Sequence, residues 1–310
     1  MSSSNCNLPP SFSIATRSSE LALWQATSIR NHLLNFYPQL SIDLLPIKTQ
    51  GDCIVDIDDW KRLASRGVFV RQLELAIMEG IAFCAVHSLK DVPYLLPEGL
   101  DLIWIGHRGD PSDAFVSYDY DSLDDVPSGG KIGTSSIRRS AQMKHYRPDL
   151  EIVPIRGNVL TRLKKMREFS FAGLILSSSG LTRLGLDQLI KQRLPLSVSI
   201  PAPGQGFLAI EARKEHKNLE IWSSLSNEDT ILADTERRLG KLLGANCNIP
   251  LAAYASYEKS GIALHARLFS PDGTEMMEFS DVVSSRDEWQ NLADRAVRYF
   301  QEGTFFTRNL

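Results

Sequence analysis

In the first third of the chain, segments with the hydrophobic pattern of strands alternate with segments that have the pattern of helices. Short apolar runs at Phe12–Thr16, Ser41–Ile47 and Phe83–His87, each bounded by polar residues, are typical of strands. Between them, the segment from Glu20 to about Asn35 and the segment Val68–Met78 place apolar residues at helical spacing. Strands that alternate with helices in this way predict α/β layers with largely parallel sheets.

The same alternation continues beyond Arg108. A turn rich in glycine and proline, Pro201–Gly206, then precedes another apolar strand and suits a crossover between lobes. The predicted strands are Ala114–Ser117, Lys131–Gly133, Glu151–Ile155, Gly173–Leu176 and Phe207–Arg213, and the predicted helices are Ser136–Tyr146 and Asn158–Phe169, with helical turns from Leu181 to Gln192.

The last third of the chain has a different order of elements. A predicted helix at Thr230–Leu243 is followed by three strand-like runs in succession, and a final helix spans about Arg286–Phe300. The three runs are Ala252–Tyr257, Ile262–Phe269 and Glu275–Val283. Consecutive strands flanked by helices predict a small α+β domain.

Composition and length place the chain among globular proteins with about two or three domains. It has 310 residues, 43% of them hydrophobic, but no apolar run reaches the ~18 residues that span a bilayer. The first residues lack the basic-then-apolar order of a secretory signal, so we expect a cytoplasmic location. Four cysteines without a CxxC pair, and histidines without an HxxxH pair, predict neither a metal site nor a disulfide framework.

Charge is concentrated in one segment, Lys131–Arg167, which we call the basic stretch. It holds ten Lys/Arg against two acids, a net +8 in a chain whose total is −3. The overall negative charge and a single aromatic residue in the stretch, Tyr146, speak against nucleic acid. Neither GxxxxGK[ST] nor GxGxxG occurs, which speaks against a nucleotide phosphate. The sequence therefore favours carboxylates as the ligand of these cations.

Four strand-to-helix turns carry similar polar residues. They are Thr16–Ser19, His87–Asp91, Gly133–Ser136 and Arg156–Asn158. Ligands bind at the carboxyl ends of strands in open α/β sheets, and helix N-termini with arginine side chains suit anions. Taken singly, each Ser or Thr is more simply a helix cap and each arginine a solvated side chain. Four such turns together favour a cleft for a ligand with several negative groups.

Two further residues are candidates for chemistry. Asp91 stands at the end of a strand, where an ionised carboxylate can stabilise a developing cation and transfer protons. The alternative for Asp91 is a helix cap or a salt bridge. Cys247 lies in a turn, unlike Cys84 in its apolar run, and can serve as a nucleophile or a covalent attachment point.

Eight segments in this order resemble the porphobilinogen deaminase (hydroxymethylbilane synthase) family. The similarity runs from about Ile14 into the last domain. The segments are IATRSSELALWQ (14–25), IKTQGD (47–52), AVHSLKDVP (85–93), IGTSSIRRSAQ (132–142), IRGNVLTRLKK (155–165), SGLTRLGL (179–186), APGQGFLAIE (202–211) and the Cys247 turn.

The resemblance implies an enzyme that joins four porphobilinogen molecules head to tail and releases ammonia at each step. It implies a dipyrromethane cofactor held by a thioether to Cys247, Asp91 as the catalytic residue, and Arg66 in an active-site loop. The residues implied to bind the cofactor are Ser88, Lys90, Asp91, Ser136, Arg138, Arg139, Arg156, Arg162 and Arg183, and those implied to bind the substrate are Arg17, Ser19, Arg156, Arg183 and Gln205.

The fold implied by the resemblance is α/β, with two periplasmic-binding-protein-like lobes of mixed, largely parallel sheets and a small α+β C-terminal domain. We expect domain 1 at residues 1–106 and 207–225, domain 2 at 107–206, and domain 3 at 226–310. The family implies a monomer that needs no metal, membrane or nucleic acid. Growing chains of pyrrole acetates and propionates are polyanions, which agrees with the many arginines.

Two segments depart from the family pattern. Ala245-Asn246 stands where the family has Gly-Gly before the cofactor cysteine, and Ala64-Ser65-Arg66-Gly67 replaces a more glycine-rich loop end. If the first turn requires a positive φ, alanine fits it poorly. Two alternatives to the enzyme therefore remain: a non-catalytic bilobal binding protein for a multi-carboxylate ligand, and an inactive homologue that cannot present Cys247.

Overall fold

A computed structural model describes residues 8–49, 70–225, 229–245, 249–259, 261–270 and 273–303. The chain divides into two compact units. Unit 1 comprises Met1–Arg108 with Phe207–Thr230, and unit 2 comprises Gly109–Gly206 with Ile231–Leu310. The three-domain boundaries stay a prediction.

The first part of unit 1 alternates strands and helices. Its elements are β1 (Ser11–Arg17), α1 (Glu20–Phe36), β2 (Ser41–Ile47), α2 (Arg71–Met78), β3 (Cys84–Ser88) and β4 (Leu100–Ile105). A 3₁₀ turn, Leu89–Asp91, follows β3 directly.

Unit 2 then begins with five strands and three helices. They are β5 (Asp113–Val116), β6 (Lys131–Gly133), α3 (Ile137–Tyr146), β7 (Glu151–Val153), α4 (Val159–Glu168), β8 (Gly173–Ser177), α5 (Ser178–Arg183) and β9 (Ile190–Arg193). The prediction of helical turns up to Gln192 was wrong at its end, because β9 pairs with β5 as an edge strand. Its alternation of half-buried and exposed positions is that of a strand with one solvated face.

The chain next returns to unit 1 with β10 (Leu208–Arg213) and finishes in unit 2. The final elements are α6 (Thr230–Leu242), β11 (Leu251–Glu258), β12 (Gly261–Phe269), β13 (Met276–Val283) and α7 (Trp289–Gln301). The three predicted strands and both helices of this last part are confirmed.

Each unit contains a mixed five-stranded sheet. The orders are β2-β1-β3-β10-β4 in unit 1 and β7-β6-β8-β5-β9 in unit 2. In each sheet the first three strands are parallel, and the remaining two pairings are antiparallel. A third, antiparallel sheet has the order β11-β12-β13. These sheets confirm the α/β fold class with a small additional α+β part.

The cores follow the hydrophobic spacing of the helices. Ala26, Ile29 and Leu33 of α1 pack on one face of the unit 1 sheet, against Ile14 and its neighbours. On the opposite face, α2 packs its buried leucine, alanine and isoleucine positions against Ala15 and Ala85. Full burial of one such aliphatic side chain contributes about 2 kcal/mol. No helix within the described ranges is long and apolar enough to cross a membrane.

Candidate functional site

The predicted polar turns all follow parallel strands. In unit 1, Arg17 ends β1 and Ser19 lies in the turn after it, while Ser88 ends β3 and is followed by the turn Leu89–Asp91. In unit 2, the turns after β6, β7 and β8 carry Ser136, the Arg156–Asn158 segment and α5. Neighbouring parallel strands end at the same edge of a sheet, so each sheet presents its turns along one edge.

Helix capping accounts for part of the polar signature. Ser19 Oγ accepts the Ala22 N–H at 3.4 Å, and Ser136 Oγ accepts the Arg139 N–H at 3.4 Å. Asn158 Oδ1 accepts the Thr161 N–H at 2.8 Å. These side chains satisfy backbone donors at the starts of α1, α3 and α4. The simple capping interpretation is thus correct for these residues, and it leaves further acceptor capacity on each oxygen.

The two turns of unit 1 meet around a small cavity of about 50 Å³. Four of the predicted site residues line it: Arg17, Ser19, Ser88 and Asp91. A guanidinium and two hydroxyls, one of them at the start of α1, are donors suited to one carboxylate group. The structure therefore brings the unit 1 residues together in an anion-binding arrangement.

Asp91 occupies the last position of the 3₁₀ turn, and its residue is exposed. Ser88 and not Asp91 holds the N-cap position of that turn, so the helix-cap alternative for Asp91 was wrong. The turn is anchored by the buried Leu89, whose N–H donates to Phe207 O at 3.1 Å. A fixed turn therefore presents the carboxylate to solvent, and Lys90 lies half-buried beside it.

Gln25 is a site residue that the sequence interpretation missed. Its side chain is buried, and its Nε2 donates to Ser88 Oγ at 2.8 Å. Gln25 lies on the buried face of α1 next to Ala26, where an amide is out of place unless it has a polar partner. A polar residue on an otherwise apolar helix face was the available signal.

Arg138 and Arg139 of α3 are held inside unit 2 by Asp113. Arg138 Nη1 lies 2.7 Å from Asp113 Oδ2, and Arg139 Nε donates to Asp113 Oδ1 at 2.8 Å. The arginines are only 4% and 6% exposed, so a ligand carboxylate would have to displace Asp113 from them. The alternative interpretation of these two arginines as solvated helix side chains is therefore wrong. Their role in binding the cofactor stays a prediction.

Gln205 belongs to the same buried network. Its Nε2 donates to Asp113 Oδ1 at 2.9 Å and to Pro111 O at 2.7 Å. Burial raises the pKa of Asp113, but the two guanidinium groups outweigh burial and hold that pKa well below its usual range. Asp113 is therefore a permanent anion that neutralises part of the basic stretch from within.

The Arg156 turn is built on a glycine. Gly157 has φ +117°, and a Cβ there would approach Thr161 Cγ2 to 2.6 Å, so no other residue fits without a shift. Arg162 Nε donates to Gly157 O at 2.7 Å, and Lys165 Nζ donates to Arg156 O at 3.2 Å. The two arginines are half-buried where α4 begins.

Arg183 ends α5 and donates to Gly206 O at 2.5 Å. Burial lowers the pKa of its guanidinium to about 10. No carboxylate pairs with Arg183 within the described part of the chain. A desolvated cation without an acidic partner is suited to an anionic ligand.

The comparisons with known proteins agree with this chemistry. A family model described as "Porphobilinogen deaminase, dipyromethane cofactor binding domain" matches residues 12–221, and one described as "Porphobilinogen deaminase, C-terminal domain" matches residues 230–291. Relatives named porphobilinogen deaminase are 42% identical: that of Nitrosomonas europaea covers 87% of this chain and 88% of its own, and that of Thiobacillus denitrificans covers 92% and 94%.

The chain belongs to the porphobilinogen deaminase family. Solved structures of similar chain path include the methionine-binding protein MetQ, with a TM-score of 0.46 at 13% identity over 74% of this chain and 96% of that one. A periplasmic substrate-binding protein from Coxiella burnetii has a TM-score of 0.44 at 13% identity over 73% and 96%.

As a porphobilinogen deaminase family member, the chain carries the dipyrromethane-binding domain, and its residues fit such a group. Arg183 offers a desolvated cation, and Arg156 and Arg162 lie at the carboxyl edge of the unit 2 sheet. Both features suit a ligand with several carboxylates.

The predicted attachment residue Cys247 and the predicted loop residue Arg66 lie outside the described residues. Just before Cys247, Gly244 has φ +62°, whereas Ala245 is not among the residues with positive φ. The first of the two departures from the family's Gly-Gly pair is therefore unstrained. Cys84 is fully buried, and burial raises the pKa of its thiol to about 12, so it is inert as predicted.

Proposed function

We propose that this chain catalyses the porphobilinogen deaminase reaction of tetrapyrrole biosynthesis. In that reaction, four porphobilinogen molecules are joined head to tail into hydroxymethylbilane, and one ammonia is released at each step. The observation that carries the proposal is the cavity that gathers Arg17, Ser19, Ser88 and Asp91 at the ends of β1 and β3. It combines an anion-binding corner with an exposed carboxylate on a fixed turn.

The carboxylates of the substrate are the groups that the cations would bind. Porphobilinogen carries an acetate and a propionate, and we assign these to Arg17, Ser19, Arg156, Arg183 and Gln205. We assign the carboxylates of the cofactor to Ser88, Lys90, Ser136, Arg138, Arg139, Arg156, Arg162 and Arg183. When bound through Cys247, the dipyrromethane supplies the pyrrole carbon that accepts the first substrate.

Asp91 is the proposed catalytic residue. Loss of ammonia from the substrate leaves an electron-poor methylene-pyrrole cation, which a neighbouring ionised carboxylate stabilises. The same carboxylate accepts hydrogen bonds from pyrrole N–H groups. It can also take up the proton that a ring carbon loses after it has formed a bond to this cation. Its place on an anchored turn keeps it in one orientation while the substrate changes.

The cofactor assignment is tested by the intact mass of the purified protein. We expect a mass excess of two pyrrole units in the wild type and in a control variant, Cys53→Ala, and the bare sequence mass in Cys247→Ala. Protein at bare sequence mass, produced with cofactor precursors available, would contradict the proposal. If Cys247→Ala retains the mass excess, only the assignment of Cys247 as the attachment residue is contradicted.

The role of Asp91 is tested by replacing it with alanine. We expect turnover of porphobilinogen to fall by about a hundredfold or more, because the cation loses its counter-charge. The melting temperature should not change, since the residue is exposed and caps no helix. The control is Asp43→Ala, an exposed aspartate on β2 of the same sheet. Near-normal porphobilinogen consumption by Asp91→Ala would exclude the residue from catalysis.

The proposal extends to a cytoplasmic monomer that binds small molecules and no nucleic acid. The negative net charge and the buried neutralisation of Arg138 and Arg139 by Asp113 support the last point. Light scattering coupled to gel filtration, with and without duplex DNA, tests the oligomeric state and nucleic-acid binding together. A dimer mass, or co-elution with the DNA at physiological salt, would contradict the corresponding part.

A further inference from the structure

Three ionisable side chains meet inside unit 1, beneath the Asp91 turn. Glu74 comes from α2, His87 from β3 and Glu211 from β10, and they are 8%, 5% and 0% exposed. His87 Nε2 lies 3.1 Å from Glu211 Oε2. Neither this nitrogen nor the two Glu211 oxygens makes a well-directed hydrogen bond within the described residues, so this close contact is the polar interaction that the imidazole and the carboxylate share.

Strand register explains why these residues meet. Ala209 of β10 pairs with His87 and Glu211 pairs with Ala85, so the imidazole and the carboxylate project from the same face of the sheet. α2 covers that face with Leu73, Ala76 and Ile77, and its first turn brings Glu74 over the pair. All three side chains are therefore buried.

The charges around Glu74 come from every element packed on it. The pKa of Glu74 is raised to about 7, mainly by burial and next by the Glu211 carboxylate, while His87 and Arg71 act to lower it. Arg17 and Asp91 are the charged residues on the cavity side. Within the described ranges no three such side chains are arranged to hold a metal ion, so a bound cation does not explain the two acids.

The cluster adjoins the site directly. His87 lines the same cavity as Arg17, Ser88 and Asp91, and the chain passes from His87 through Ser88 into the 3₁₀ turn. A buried ion pair is a poor source of stability, because an apolar set of the same volume is often as stable or more so. A cluster kept at the floor of a binding cavity calls for a role in that cavity.

We propose that Glu74, His87 and Glu211 form a positioning cluster that orients the floor of the substrate cavity and transmits its own protonation state to the binding of the substrate carboxylates. The inference rests on the proposed function. With Glu74 neutral, this residue adds no charge behind the anion-binding corner. When Glu74 loses its proton, it adds one negative charge there, which opposes a carboxylate ligand.

The test is the pH dependence of KM and kcat for porphobilinogen in the holoenzyme. We expect the KM of the wild type to rise about fivefold between pH 6 and pH 8, with a smaller change in kcat. Glu74→Gln should lose this step and keep the low KM throughout. The matched control is Glu79→Gln, an exposed glutamate at the end of the same helix, which should keep the wild-type step.

Two more variants separate positioning from folding. Glu211→Gln keeps an acceptor for the imidazole but removes its charge, and His87→Asn keeps a polar amide at the floor. We expect both to fold, to raise KM at pH 6 and to shift or abolish the step. Wild-type KM values and an unchanged pH profile in Glu74→Gln, Glu211→Gln and His87→Asn would overturn the inference.

A readout independent of activity is the nuclear magnetic resonance titration of the His87 ring, assigned by comparison with His87→Asn. We expect a shift near pH 7 in the wild type that disappears in Glu74→Gln, because the acid titrates beside the ring. A flat response would overturn the inference even in an active enzyme. A wild type that consumes no porphobilinogen at any pH would instead refute the proposed function, and the ring titration would still report on the cluster.

Discussion

The sheets of the two units share one strand plan but surround a buried acid with different charged partners. In each, two parallel strand pairings are followed by two antiparallel ones, and the fourth strand in the spatial order carries a buried carboxylate. In unit 2 this strand is β5 and the residue is Asp113. In unit 1 it is β10 and the residue is Glu211. One position in a shared sheet plan therefore holds a buried acid in both units.

The difference lies in the partners of the two acids. Asp113 is held by Arg138 and Arg139, and it also accepts the Ser199 hydroxyl at 2.7 Å. Arginine does not lose its charge at accessible pH, so this ion pair is fixed. Glu211 instead faces His87, with Glu74 beside it, and the pKa of Glu74 is raised to about 7, mainly by burial. One sheet plan can therefore hold a constant charge or a pH-dependent one.

Asp113→Asn removes the fixed acid of unit 2 and should reduce the stability of the chain most strongly. This variant removes the carboxylate that pairs with two buried guanidinium groups, and we expect a loss of about 3–5 kcal/mol in the free energy of unfolding. Urea denaturation followed by circular dichroism measures the loss. Asp121→Asn, which breaks an exposed pair with Lys191, should leave the denaturation midpoint unchanged. A loss no larger than that of the control would show that Asp113 does not stabilise the unit.

Measurements of stability at several pH values distinguish Glu74 of unit 1 from Asp113 of unit 2. The folded pKa of Glu74 is raised from 4.5 to about 7, so its contribution is complete below about pH 4.5 and is lost as the pH rises to about 7. Asp113 behaves in the opposite way: its pKa is lowered, so its contribution is present above the unfolded pKa and lost only in stronger acid.

We therefore expect the melting temperature of the wild type, relative to Glu74→Gln, to fall as the pH rises from 5 to 8. The penalty of Asp113→Asn should stay constant over the same range. Differential scanning calorimetry at four pH values measures both. Parallel curves for the wild type and Glu74→Gln would mean that Glu74 does not titrate in this range in the folded chain.

Both units have a serine cap at the start of a helix, and removing either cap should reduce stability only slightly. Ser19→Ala and Ser136→Ala each remove the side-chain acceptor at the start of a helix, and each should cost about 1 kcal/mol. Similar losses in urea denaturation would show that the two turns are equivalent as caps. A much larger loss in one unit would mean that its serine supports more than the helix.

The local elements of this fold were predictable because their signals are local. The spacing of Ala26, Ile29 and Leu33 predicted α1, and capping residues marked the starts of the helices that follow β1, β6 and β7. Asp91 and Arg17 could be singled out because both lie where a strand gives way to a turn. β9 was missed because its four residues carry too short a pattern to separate a strand from helical turns.

The buried charge pairs were not predictable from spacing. Arg138 and Arg139 stood in a basic stretch, and nothing near them in sequence showed that Asp113 of a neighbouring strand would neutralise them. Glu211 was visible as a charge inside an apolar run, but its pairing with His87 depends on the register between β10 and β3. Such contacts are set by the assembled sheet and not by local sequence.

The late position of β10 in the chain has a consequence for synthesis on the ribosome. β10 lies between β3 and β4, yet it emerges only after the strands β5 to β9 of unit 2. Until then the flanks of β3 and β4 have unpaired backbone groups, and exposed strand edges invite pairing with other chains. We therefore expect the first-made part of this protein to be most prone to pairing with other chains until β10 has been made.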